Sequence, residues 1–305
     1  MRASAWFIGV LLLASLILGT IAYPVYELVS RVHVWPFHRV YGRLAMLVVV
    51  LLLAGLFRLQ GIRSKRDFGF GLPWRRFVRT TLRWSGIGVA SAAVGAAFIL
   101  GEGLRGLDPH IVFTGGVVLR IVLNGLSSGL AVALFEETLA RGAIHTAIER
   151  ESGAWVAAFA TASLFAILHF FAKASIPADQ VAWRSGFDLL ARSFAPLGDP
   201  ARVIDSLLAY LAIGLVLSLT RVLTGAIAVA IGLHAGWVLV LRIMQQCTIR
   251  TPSRGPDVWL GSFDGLVGYW MLPWAAAIGL ALWLTRSRWV PAAASRAAQF
   301  AASAP

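Results

Sequence analysis

Eight apolar stretches alternate with short polar segments along the chain, near residues 5–27, 40–60, 82–101, 111–148, 153–172, 203–220, 223–245 and 265–285. An α-helix needs roughly 20 mostly apolar residues to cross the hydrocarbon layer of a bilayer. The pattern therefore predicts an all-α membrane protein, about eight transmembrane helices in one bundle. The fourth stretch exceeds one crossing, so its last turns should project beyond the hydrocarbon. It forms a hairpin with the fifth that turns near Ser152-Gly153. Gly, Ser and Thr recur inside several stretches, which suits close helix approach in lipid. The first stretch follows Arg2 and runs from Trp6 to Ala22. Because many similar segments follow, it reads as a retained span and not as a cleaved signal peptide.

The polar segments are modest. Arg58 to Arg83 carries Arg63, Lys65, Arg66, Arg75, Arg76 and Arg79, interleaved with Phe68, Phe70, Trp74 and Phe77. That alternation predicts a segment lying on the membrane surface. The longest insert runs from Lys173 to Arg202. Ile176-Pro177-Ala178-Asp179 is expected to open a short amphipathic helix there, and Phe194 to Pro200 to close it. Arg296 to Pro305 reads as a loose Ala-rich tail. Three parts of one membrane domain follow: three N-terminal helices with the basic linker (1–110), a core (111–245), and a last helix with the tail (246–305).

Composition sharpens this reading. The chain is 58% hydrophobic and 13% charged, with mean hydropathy +0.77, whereas soluble domains carry about 25% charged residues. In a soluble protein the formal net charge of +13 would point to nucleic acid. Here loop cations facing anionic membrane lipids account for it, and no nucleic-acid partner is expected. With both chain ends in the cytoplasm the cation bias has the expected sign, and it rests almost entirely on the basic linker. The Arg- and Ala-rich composition fits a bacterial cytoplasmic membrane. A single cysteine, Cys247, excludes an internal disulfide and a four-thiolate metal site.

The candidate chemistry lies inside the spans. Glu136-Glu137 closes the apolar run from Ile121 to Phe135, and a carboxylate at membrane depth costs about 2.5–3.5 kcal/mol on insertion scales. His169 and His234 sit in two later spans. Glu136 and His169 each lie about 16 residues from the Ser152-Gly153 turn, or about 24 Å along their helices, so an antiparallel hairpin sets them side by side. His234 can share that layer. Glu137 and Arg141 are four apart, the favourable order for an ion pair, and His145 extends that face. Glu136 points about 100° away. Glu137 is thus expected to be held by Arg141, leaving Glu136 as the freer base near His169.

Glu136-Glu137-Thr138-Leu139-Ala140-Arg141 fits EExxxR. Phe165-Ala166-Ile167-Leu168-His169 fits FxxxH. Thr224 to Ala228 leads into Ile231-Gly232-Leu233-His234-Ala235-Gly236-Trp237. Together, from about Gly116 to Leu241, these resemble the CPBP family of CAAX proteases and bacteriocin-processing (Abi) proteins. The resemblance implies an eight-helix intramembrane glutamic endopeptidase without a cofactor, acting on a peptide or a membrane-anchored, lipid-bearing protein. By that resemblance Glu136 activates the hydrolytic water, His169 helps to position it, Glu137 and Arg141 support the site, and His234 stabilises the oxyanion. The chemistry is sound in itself, since a base must reach the water's proton and a donor must face the oxygen where charge develops.

The family's third motif continues to an Asn four residues after the histidine, and here that position is Val238. Removing one oxyanion donor typically costs about 10²–10³ in rate. Trp237 and Arg242 are candidate substitute donors. Three other readings stand beside the protease: a non-catalytic scaffold that kept the fold, a proton relay or transporter, and a zinc enzyme using one Glu and two His. No inverted repeat supports the transporter. His33, His38, His110 and His145 read as structural residues near interfaces or loops, and Arg120 with Asn124 as a polar helix–helix contact. Trp35, Trp74, Trp259, Trp270 and Trp289 read as interfacial.

Overall fold

The computed structural model describes residues 2–170, 174–251 and 257–289; the Ala-rich tail and Lys173 lie outside them. Among the described residues six helices are long and apolar enough to cross a membrane, and two shorter apolar helices bring the total of apolar helices to eight. The long ones are α1 (Arg2–Ser30), α2 (Phe37–Leu59), α3 (Trp74–Gly101), α4 (Gly115–Glu137) with its continuation, α8 (Ile204–Thr224) and α9 (Ala228–Cys247). The shorter are α6 (Ala154–Leu168) and α10 (Met271–Leu284). The chain is an all-α membrane bundle, as the hydropathy pattern predicts. One feature escaped that pattern, a two-stranded antiparallel ladder joining β1 (Arg105–Leu107) to β2 (Thr248–Arg250). Arg105 pins it by donating to Thr248 Oγ1 (2.7 Å), the Thr248 carbonyl (2.6 Å) and the Gly265 carbonyl (2.8 Å).

α9 is the centre of the bundle. Every residue from Ala228 to His234 is buried, and glycines let the helix backbones on either side come close. A Cβ at Gly88 of α3 would stand 2.6 Å from the Leu233 carbonyl oxygen, and one at Gly236 2.5 Å from the Ser85 oxygen. On the other side, a Cβ at Gly129 of α4 would stand 2.6 Å from the Ala235 oxygen. Small residues serve here because lipid offers no hydrophobic drive to association, so close packing must supply the attraction.

The fourth apolar stretch is helical from Gly115 to Ser152 but not uniform. α4 passes into a π-helical segment, Thr138–Ile144, and then into α5 (His145–Ser152). Gly153, at φ +86°, makes the turn into α6. A π turn displaces one carbonyl from the regular ladder and recurs at functional sites. Here the Arg141 carbonyl accepts from Arg221 Nε at 2.9 Å.

The basic linker packs in part against the bundle. Trp74 stays exposed, whereas the other aromatics pack on the protein. Phe68 packs on Phe57 at 6.0 Å, Phe70 on Phe77 at 5.2 Å, and the Gly69 carbonyl accepts from the Ile227 N–H at 3.1 Å. Asp67 is stapled to the hairpin by Arg150 at 2.6 Å, and its carbonyl accepts from Thr146. Partial burial acts to raise the Asp67 pKa. The backbone N–H groups of Ser64 and Arg63, the Ser64 hydroxyl and the Arg150 charge outweigh it and hold the carboxyl below its ordinary value. In the long insert the amphipathic helix exists, but it begins later than expected, as α7 (Ser185–Phe194) after a 3₁₀ turn at Ala178–Gln180.

Two further expectations are corrected, and His145, read as structural, is placed. Arg120 and Asn124 are exposed along α4, because the packed stripe of that helix runs through Ile121, Gly125, Gly129, Ala133 and Glu137, one position over. Trp270 is buried in the core and not interfacial. His145 is fully buried, enclosed where the π segment meets α5.

Candidate active site

Glu137, Arg141 and His234 form one buried network. Arg141 and Glu137 are both 0% exposed, and Arg141 Nη1 donates to Glu137 Oε1 at 3.1 Å. Its other guanidinium nitrogens reach α8: Nη2 donates to the Gly214 carbonyl at 2.9 Å and Nε to Ser218 Oγ at 3.3 Å. Its guanidinium carbon lies 4.6 Å from the centre of the Phe165 ring. The planar fork of arginine suits three directed bonds from one buried charge in a way that lysine does not. The bare Gly214 lets α8 pack closely on α6, since a Cβ there would meet Ala162 at 3.0 Å.

His234 joins the same oxygen. Its Nδ1 lies 2.8 Å from Glu137 Oε1. A carboxylate only accepts, so Nδ1 carries the proton and Nε2 faces away from Glu137. Nε2 is 4.0 Å from Glu136 Oε2, too long for a hydrogen bond. The sequence reading paired Glu137 with Arg141; the structure adds that Glu137 is the link from Arg141 to His234.

Glu136 has a different environment. Its side chain is 33% exposed against 0% for Glu137, and its Oε2 makes no hydrogen bond among the described residues. Glu136 and His169 line a cavity of about 430 Å³ whose other walls are apolar. Phe7 and Leu11 of α1, Met46, Val49 and Leu53 of α2, and Leu164 and Leu168 of α6 contribute to those walls. His169 caps the end of α6. Its Nδ1 donates to the Phe165 carbonyl at 2.7 Å, which leaves Nε2 as an acceptor.

Tyr210 was not singled out in the sequence. Its ring stacks on His169 at 4.2 Å and 27°, and Phe165 also contacts that imidazole at 4.3 Å. Its hydroxyl donates to Asp264 Oδ2 at 2.6 Å, while Asp264 Oδ1 accepts from the N–H groups of Leu266 and Val267. A tyrosine mid-span is a weak sequence signal, because its partner lies 54 residues on. Ser218 and Gly214 were missed for a similar reason.

The substitute donors do not reach the site. Trp237 gives its indole N–H to Ser91 Oγ of α3 at 3.0 Å. Arg242 is exposed and donates to Gln245 Oε1 on its own helix. Among the described residues no group of three or more His, Cys, Asp or Glu side chains stands in metal-holding geometry.

Fold and site define a membrane-embedded protein built around an internal polar network beside an apolar cavity. Residues 117–240 match the family model described as type II CAAX prenyl endopeptidase Rce1-like. The match covers every motif read above and agrees with their CPBP resemblance. Over that stretch the chain is similar to CAAX-type prenyl endopeptidases. No curated protein and no solved structure matches the chain.

Proposed function

We propose that the chain is a glutamic-type intramembrane endopeptidase that hydrolyses a peptide bond in a membrane-associated or lipid-bearing protein. The observation that carries this reading is the cavity. Its polar lining is Glu136 and His169 in an otherwise apolar wall, so an apolar substrate segment seats against a base and a water-orienting imidazole. Glu136 takes the proton of a water held by His169 Nε2. The resulting hydroxide attacks the scissile carbonyl, and the same proton then passes to the leaving amine. His234 Nε2 stabilises the developing oxyanion. Because Nδ1–H is committed to Glu137, Nε2 donates only when the ring is an imidazolium, and Glu137 then supplies the counter-charge.

The test is cleavage of membrane-anchored peptides, prenylated and unprenylated, by purified protein. Wild type runs beside Glu136→Ala, each with and without a strong chelator. Cleavage that needs Glu136 and resists chelation is expected. Full cleavage by Glu136→Ala sinks the reading, and chelator-sensitive cleavage replaces it with the zinc enzyme. The non-catalytic scaffold remains the second reading. Val238 favours it, together with the commitment of the Trp237 N–H to Ser91.

A further inference from the structure

A second feature of the molecule is independent of the cavity. α3 has 28 residues, about 42 Å of helix, which matches a bilayer of about 40–45 Å including its headgroup layers. Its first turns therefore lie at headgroup level. Arg76, Arg79 and Arg83 follow one another there at spacings of three and four, so they share one helix face. They border a groove of about 330 Å³ completed by the α8–α9 turn and by Arg288 of the short helix α11 (Arg286–Trp289). Trp84 and Trp289, in edge contact at 5.1 Å, also line the groove.

The charge in this groove is unbalanced. All four arginines are exposed, no carboxylate lines the groove, and none of the four forms an ion pair among the described residues. Two acids on the same face of the bundle are engaged elsewhere, Asp67 by Arg150 and Glu149 by Arg221. Four guanidinium groups converging on one concavity offer many N–H donors to an anionic oxygen cluster, and arginine suits phosphate geometry. A free phosphate shares that chemistry. A lipid is favoured because the groove lies at headgroup depth and the exposed Leu82, one position from Arg83, continues α3 into the hydrocarbon.

We propose that this groove binds the headgroup of an anionic phospholipid, its phosphodiester held by Arg76, Arg79, Arg83 and Arg288. The full-length protein in detergent, equilibrated with equal phosphatidylglycerol and phosphatidylcholine, is examined by native mass spectrometry. Wild type is expected to retain phosphatidylglycerol selectively. Each arginine near an anionic surface is worth about fivefold in binding, so Arg79→Ala with Arg83→Ala should weaken retention on the order of 25-fold. A charge-matched control, Lys65→Ala with Arg66→Ala in the linker, should leave retention intact. Thermal unfolding checks that both variants are folded, and the single variant Arg288→Ala, on a separate element, should give the single-arginine loss. Equal loss in test and control variants overturns the site in favour of diffuse surface charge. Retention unchanged by Arg79→Ala with Arg83→Ala overturns it outright. Complete displacement by inorganic phosphate, with phosphate binding in lipid-free protein, overturns the lipid assignment.

Discussion

Arg141→Ala is the most informative single perturbation of the buried network. It deletes a bond to Glu137 Oε1, a bond to the Gly214 carbonyl and a bond to Ser218 Oγ. The larger effect is on what remains: Glu137, 0% exposed, keeps its charge without the neighbouring cation. Removing one partner of a buried pair costs about 3–5 kcal/mol, on the order of 10 °C in Tm for a chain of this size. Unfolding in detergent, followed by circular dichroism, reads the change. A second variant separates charge from packing. Glu137→Leu with Arg141→Met removes both charges, and such apolar replacements are often neutral or stabilising. It should recover most of the lost stability. It should remain inactive, because His234 Nδ1 has lost its acceptor. Arg202→Ala, which breaks the exposed pair with Asp199, provides the baseline. If Arg141→Ala unfolds no more readily than Arg202→Ala, or if the double variant is no better than the single, the network is not the fixed ionic lock described above.

Val238→Asn should restore an amide donor beside His234 and raise kcat by about 10²-fold, measured on the same peptide panel; an unchanged rate shows that this donor was not limiting. Gly236→Ala should wedge α9 from α3, since its Cβ would sit 2.5 Å from the Ser85 oxygen. Overpacking of this kind costs about 1–3 kcal/mol and is read as a lowered Tm. Asp67 contributes a defined acid limb. Its folded pKa lies below the ordinary 3.8, so its stabilisation is fully present above that value and is lost as pH falls through the lower folded value. Asp67→Asn should be less stable than wild type near neutrality and converge with it in acid; parallel curves at every pH refute the assignment.

The sequence revealed what local spacing can carry. Eight apolar segments, the hairpin turn at Gly153, the equal depth of Glu136 and His169 and the Glu137–Arg141 pair all follow from helical geometry along one segment or one hairpin. What remained hidden depends on contacts across helices. That His234 bonds Glu137 and not the freer Glu136 is fixed by the rotation of α9, which its glycine contacts with α3 and α4 set. That Trp237 faces Ser91 has the same origin. Tyr210 and Asp264 meet only because the loop before α10 folds back over α8. The linker gave a mixed signal for a physical reason: interleaved Arg and aromatic residues look alike whether the rings enter lipid or a protein groove, and here Phe68 and Phe70 pack on the protein while Trp74 stays exposed. The π segment was unreadable, since its one-residue expansion leaves no mark in hydropathy.

Part of the cavity wall comes from outside the stretch that matches the Rce1-like family. Glu136, His169, Arg141 and His234 all fall within residues 117–240, whereas Phe7, Leu11, Met46, Val49 and Leu53 belong to α1 and α2. The candidate site and one side of its apolar wall therefore lie in separate lengths of the chain. Substitutions in α1 and α2 can reshape the cavity while leaving Glu136, His169 and His234 as they are, which makes these two helices the natural place to alter what the cavity admits.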